Sequence, residues 1–237
     1  GNVHGAMDMG LAPGLLPGRT TLADADRFAD AWPGVPDAVG RDTLATLEAA
    51  ADGQVDVLVL LGADLLADVP DRDLARRALD GAGTVIALDL FATETVASAD
   101  VVLPAAGPTE VDGTFTNLEG RVSRVARKVT SPGTSRPDWM IAVDLADRLG
   151  TDLGFMSSED VWAELTAVSA VHADLSSEAI AAAPNALERD PERASGGVFR
   201  WSLTRMSDAH GSTVYYLYDQ DDGRSYLRDL YYVSPND

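Results

Sequence analysis

Apolar residues in this chain follow two rhythms, and between residues 55 and 104 they alternate. Val55–Leu61 (VDVLVLL) is a β-branched and leucine run that ends in Gly62-Ala63-Asp64, so it predicts a strand. Asp71–Leu79 follows with helical spacing and is broken by Gly81 and Gly83. Thr84–Leu90 (TVIALDL) predicts a second strand of buried type, Thr95–Ala99 a short helical turn, and Val101–Leu103 a third strand stopped by Pro104. Strands separated by helices at this spacing imply βαβ units and a parallel sheet.

The flanks are less regular. Glycine and proline interrupt residues 1–20 at Gly1, Gly5, Gly10, Pro13, Gly14, Pro17 and Gly18, which predicts loop rather than helix or strand and an expected continuation from an upstream region. Thr21–Trp32 reads as a short acidic helix stopped before Pro33. Asp42–Ala51 reads as another, with Leu44, Leu47 and Ala51 on one face and Gly53 past its end. After the third strand, Ala105–Gly120 predicts a long polar loop and Arg121–Val129 an exposed strand. Pro137 opens a helix that carries Trp139, Val143, Leu145, Ala146 and Leu149 and closes at Gly150. Further helices are predicted over Val161–Ser169 and Ser176–Ala183.

All six tyrosines lie in the last forty residues, in two runs that flank Asp221-Asp222-Gly223, a hairpin signal. A linker-like stretch over Ala183–Arg193 precedes them. The expected organisation is therefore a loop tract over 1–20, an α/β domain over 21–193, and a small tyrosine-rich β tail over 194–237.

Composition narrows the function. The chain has 237 residues and a formal charge of −20, from 38 acidic and 18 basic side chains. A polyanion repels nucleic-acid phosphates and anionic lipid head groups, so neither is an expected partner. Cysteine is absent, which excludes disulfides, thiolate nucleophiles and thiolate ligands to iron–sulfur clusters. His4, His172 and His210 show no metal-site spacing, and no P-loop or nucleophile elbow occurs. The longest apolar runs, Val57–Leu61 and Ala179–Ala183, are far too short to span a bilayer, so direct membrane insertion is not expected.

Residues 98–121 read SADVVLPAAGPTEVDGTFTNLEGR. The run Ala99, Asp100, Val102, Leu103, Pro104, Glu110, Gly113, Thr114, Phe115, Asn117, Glu119, Gly120 and Arg121 resembles, without gaps, a signature of the molybdopterin oxidoreductase family. The opening tract, through Gly5, Ala6, Asp8, Gly10, Pro13, Pro17 and Gly18, looks most like the large subunit of bacterial NADH–quinone oxidoreductase. The resemblance extends well over residues 1–150, loosely to 190, and not beyond Val198. It implies a Rossmann-like α/β domain with a parallel sheet and helices on both faces.

The same resemblance implies a function: a non-redox structural segment of that large subunit, in the hydrophilic arm that carries electrons from NADH to quinone. Other arm subunits would be its partners. The iron–sulfur clusters would belong to the amino-terminal part of the complete subunit. The location would be cytoplasmic, on the inner face of the membrane through those partners. Two alternatives stay open: a fragment of a molybdenum enzyme of the formate dehydrogenase or nitrate reductase type, and a nucleotide-binding or assembly module.

Ligands of open parallel sheets lie outside the carboxyl ends of the strands. If a molybdopterin guanine dinucleotide were bound, the resemblance would put Asp64, Asp89, Thr93, Glu94, Asn117, Glu119 and Arg121 near it. The competing reading is structural: carboxylates that cap helices, and an Asn117–Glu119–Arg121 network that fixes a loop. No catalytic residue and no metal ligand is expected in this chain.

Overall fold

The computed structural model describes residues 2–32, 34–183 and 186–188 and the strands 205–207, 213–221 and 224–233. It divides into two compact units, Gly1–Gly196 and Gly197–Asp237.

The first unit opens with a helix, not a loop: α1 spans Val3–Asp8. Short antiparallel strands β1 (Leu15–Leu16) and β2 (Thr20–Thr21) follow, paired Leu15 to Thr21 and Leu16 to Thr20. The acidic stretch after them is a 3-10 helix over Leu22–Phe28, which leaves the helical region at Asp24 and buries only Phe28. The α-helix expected across Thr21–Trp32 does not form. Its apolar positions are too few to give a continuous stripe.

Helix α2 (Thr43–Ala51) begins where the Asp42 carboxylate accepts the Ala45 N–H at 2.8 Å. It buries Leu47, Ala49 and Ala50, whereas Leu44, assigned to the same face from the sequence, is exposed. Strand β3 (Val57–Leu61), the short helix α3 (Leu65–Asp68) and helix α4 (Arg72–Gly81) come next. Asp71 caps α4 by accepting the Leu74 N–H at 2.9 Å. Strand β4 (Thr84–Asp89), the single-turn helix α5 (Glu94–Ala97) and strand β5 (Val101–Pro104) complete the motif.

The sheet order is β3-β4-β5, all parallel, with Val59 opposite Ile86 and Ile86 opposite Val101. This is an α/β fold, a parallel sheet flanked by helices. One apolar core joins Leu58 and Leu60 of β3 and Val85 and Ala87 of β4 to Leu47 of α2 and Leu74, Ala75, Ala78 and Leu79 of α4. Alanines at the helix contact let the two helices approach closely, and Gly81 is part of the same fit. A Cβ there would lie 2.4 Å from the Ala50 carbonyl oxygen. β3 itself alternates, with Leu58 and Leu60 buried and Val57, Val59 and Leu61 exposed.

The polar stretch after β5 contains more structure than its composition suggested. Strand β6 (Gly113–Thr116) pairs antiparallel with β7 (Arg121–Val125), so part of the expected loop is a hairpin arm. Helix α6 (Asp138–Arg148) starts after Pro137 and buries only Ile141; Leu145 and Leu149 of the predicted face are exposed. Helix α7 (Ser158–Val168) is capped by Ser157 and α8 (Ser177–Ala182) by Ser176, each accepting a backbone N–H at 3.1 Å. Strand β8 (Leu187–Glu188) joins β7. Val122, Trp162, Leu165, Leu175 and Ile180 form a second core, with Met9 and Leu187 against it.

The second unit is a three-stranded antiparallel sheet. Strands β9 (Arg205–Ser207), β10 (Thr213–Asp221) and β11 (Arg224–Val233) take the order β11-β10-β9. The β10–β11 register shifts between Leu217 and Tyr218, where a residue bulges out of the ladder. Asp222 and Gly223, read as the hairpin turn, lie outside the described residues.

Candidate functional site

The carboxyl ends of β3, β4 and β5 are where a parallel sheet offers its helix-free crevice. Asp64 follows β3 without capping α3. Its carboxylate accepts the Thr95 hydroxyl at 2.5 Å, and the same hydroxyl oxygen accepts the Leu66 N–H at 3.0 Å. Thr95 is fully buried, so the relay ties the start of α3 to α5 where water cannot compete.

Glu94 stands beside it on the surface. Arg72 and Arg76, one helical turn apart on α4, each donate to one of its oxygens at 2.6 Å. These two hydrogen bonds hold the Glu94 carboxyl below its ordinary pKa. Arg72 also donates to the Leu66 carbonyl, which brings α3, α4 and α5 onto one side chain. Thr93 caps α5, accepting the Val96 N–H at 3.3 Å. Asp89, at the end of β4, accepts the N–H groups of Leu90 (2.6 Å) and Phe91 (3.1 Å).

Asn117, Glu119 and Arg121 form a second network in the β6–β7 turn. The Asn117 side-chain oxygen accepts the N–H groups of both Glu119 and Arg121 at 2.9 Å, and Arg121 donates to the Ala186 carbonyl at 3.1 Å. Glu119 takes part here through its backbone, with its side chain exposed. The structure thus places Asp64, Asp89, Thr93 and Glu94 at the strand ends and Asn117, Glu119 and Arg121 in the β6–β7 turn.

The strand-end cluster is acidic. Asp64, Asp89 and Glu94 offer acceptors, and the nearby guanidinium groups of Arg72 and Arg76 are engaged by Glu94. A pyrophosphate needs N–H donors and positive charge. These residues therefore do not fit the charged centre of a dinucleotide cofactor. Among the described residues no group of three or more His, Asp or Glu side chains is placed to hold a metal ion.

Several residues that matter escaped sequence reasoning. Asp8 and Arg19 form a buried ion pair at 2.6 Å, and Arg19 also reaches His4 Nδ1 at 2.9 Å. Ser169 and His172 share a buried hydrogen bond of 2.6 Å, and His172 lies edge-on to Trp162. Gly18, at φ +74°, sits against them, since a Cβ there would be 2.6 Å from the Ser169 oxygen. A cavity of 420 Å³ opens beside this core, with Trp32, Trp139, Phe155, Trp162, Arg124 and Glu159 among its walls. The sequence places Asp8 in the opening tract without a partner for it, and nothing in the sequence announced the ion pair or the cavity.

Residues 4–148 match the family model for molybdopterin oxidoreductase, well over half of the chain. This chain belongs to the molybdopterin oxidoreductase family. Among its relatives, the second G-type NADH-quinone oxidoreductase subunit of Rhizobium meliloti is 45% identical over 135 residues, covering 55% of this chain and 16% of that protein. The alpha subunit of F420-dependent formate dehydrogenase 1 of Methanococcus maripaludis is 34% identical over 180 residues, covering 75% and 27%. The alpha subunit of the NADPH-Fe(3+) oxidoreductase of Geobacter sulfurreducens is 35% identical over 175 residues, covering 73% and 20%. The chain therefore spans between 16% and 27% of the length of these three relatives. Among the described residues no helix is long and apolar enough to cross a membrane.

Proposed function

We propose that this member of the molybdopterin oxidoreductase family is a non-redox supporting segment of the large subunit of an NADH–quinone oxidoreductase. Its work is to hold an α/β framework in the hydrophilic arm, against other arm subunits, on the cytoplasmic face of the membrane. The observation that carries the reading is the 45% identity with the Rhizobium meliloti NADH-quinone oxidoreductase subunit, which exceeds the identity to the formate dehydrogenase and NADPH-Fe(3+) oxidoreductase relatives by about ten percentage points. The hydrogen bonds support it: Asp64, Asp89, Thr93, Glu94 and Asn117 each bind other parts of this chain, as framework residues do. The clusters that move electrons require thiolates, and this chain has no cysteine, so they belong to other parts of the assembly.

Affinity capture of the tagged protein from its native host tests this. Recovery of NADH-binding and iron–sulfur subunits in constant proportion is the expected result. A second reading, a segment of a formate dehydrogenase type of enzyme, is favoured by the longer match to that group, 180 residues against 135. Recovery of molybdenum-cofactor maturation proteins would select it and overturn the first. In either case iron and molybdenum analysis of the isolated chain is expected to read zero.

A further inference from the structure

The cavity beside the second core has walls that the framework reading leaves without work. Three of the chain's four tryptophans, Trp32, Trp139 and Trp162, line its 420 Å³ together with Phe155. Other parts of the chain hold two of these rings in place. The Trp32 indole N–H donates to Glu164 at 2.7 Å, and its ring packs against Phe28 at 5.3 Å between centroids. The Trp162 indole N–H donates to the Leu175 carbonyl at 2.7 Å, and the His172 ring meets it edge-on. Both N–H groups are engaged within the protein, so what these rings offer a guest is π surface. Carboxylates stand in the same walls: Asp112, Glu159 and Glu164, against one guanidinium among the described lining residues, Arg124. Arg124 lies 3.7 Å from Glu159 and so offsets one of the three.

We propose that this cavity binds a small organic cation, a methylated ammonium head on a short apolar body. The volume lies in the range of small-molecule sites, whose usual lining is aromatic with a few polar groups. Charge then selects among the guests such a space can take. The negative π faces of indole and benzene rings attract a cation, and the unbalanced carboxylates add to that attraction. An anion meets the opposite field, and a neutral apolar guest gains only burial. Methylation follows because the carboxylates already accept from the protein, Glu164 from the Trp32 indole and Asp112 from the Arg127 N–H at 3.2 Å. A quaternary ammonium needs no hydrogen bond, whereas a primary one gives up those it makes to water. Because internal bonds fix Trp32 and Trp162, little ordering of the walls is left to oppose binding. The inference rests on the cavity and is independent of the choice between the two oxidoreductase readings.

The test is a titration of the full 237-residue chain followed by tryptophan fluorescence, with choline as the probe. Dimethylbutanol, in which carbon replaces the nitrogen, has the same shape without the charge. Choline is expected to saturate with a dissociation constant at or below about 1 mM, at least about tenfold tighter than the alcohol. Trp139→Leu keeps an apolar helix former and removes one π face, so it should weaken choline at least about fivefold more than the alcohol. Glu164→Gln keeps an acceptor for the Trp32 indole and removes the charge; the same selective loss is expected, with an unchanged melting curve. That second variant decides the matter if Trp139→Leu unfolds the chain. Equal affinity for choline and the alcohol would overturn the proposal, since the cavity would then select nothing but apolar surface. So would the lack of a saturable response to choline, or choline binding that neither variant weakens, which would put the cation elsewhere.

Discussion

The two cores of the first unit are built by different means. In the β3–β5 sheet and its helices α2 and α4, Leu47, Leu58, Leu60, Leu74 and Leu79 meet around small alanines, and the contacts come from about fifty consecutive residues. The core around Trp162 gathers residues from both ends of the unit, Met9 with Leu165, Ile180 and Leu187, and sets buried polar pairs beside them. Apolar packing of neighbouring elements follows from local pattern alone. A region that joins distant segments needs directional contacts to fix which of them meet, and Asp8 with Arg19, or Ser169 with His172, supplies that direction.

The sharpest way to break this contrast is at the buried ion pair. Asp8→Asn leaves Arg19 charged without the Asp8 carboxylate, so a loss of about 3–5 kcal/mol is expected. Urea unfolding at neutral pH measures it. A loss no larger than that of a surface substitution would mean that the second core is held by its apolar residues alone. In the first core the corresponding change is Leu74→Ala, expected to cost about 2–4 kcal/mol through lost burial and an unfilled cavity. The same unfolding curves should show a nearly unchanged slope, since one truncated side chain alters the surface exposed on unfolding very little.

A smaller effect tests whether the sheet region also depends on polar stitching at its strand ends. Thr95→Val keeps the shape but removes the hydroxyl between Asp64 and the Leu66 N–H, and about 1–3 kcal/mol should be lost. Amide exchange at Leu66 should quicken in the variant. The smallest change is expected from Glu94→Gln, because the pair with Arg72 and Arg76 is exposed. Its signature is pH-dependent. The Glu94 pKa is lowered in the folded chain, so its contribution is present above the unfolded pKa and is lost as pH falls through the lower folded value. Wild type and variant should therefore differ at neutral pH and converge in acid; a constant offset across the titration would refute the assignment.

Much of the fold was legible before any coordinate. The β3, α4, β4 and β5 segments lie within a residue or two of their expected bounds, because β-branched runs ending in Gly-Ala-Asp or Pro leave few alternatives. The family was legible too, from the ungapped run Ala99–Arg121. The flanks were harder to read. Helix α1 forms inside a glycine-rich tract, held by the contacts that Asp8 makes with Arg19 eleven residues later. The acidic segment after it is a 3-10 helix, since its one buried side chain is Phe28.

What the residue order determined by itself was the parallel α/β core, the absence of thiolate chemistry, the acidic surface and the family. The first three follow from local pattern or from composition, and the family from the resemblance of the run Ala99–Arg121 to a known signature; all are read from the chain in one dimension. Tertiary structure decided the rest. It paired Asp8 with Arg19, turned Thr95 into the bridge that engages Asp64, gave Glu94 to two arginines, and left Val57, Val59 and Leu61 facing outward. Periodicity shows that two faces of a strand differ or are alike. Only packing shows which of them has been covered, because cover comes from segments that no local spacing relates.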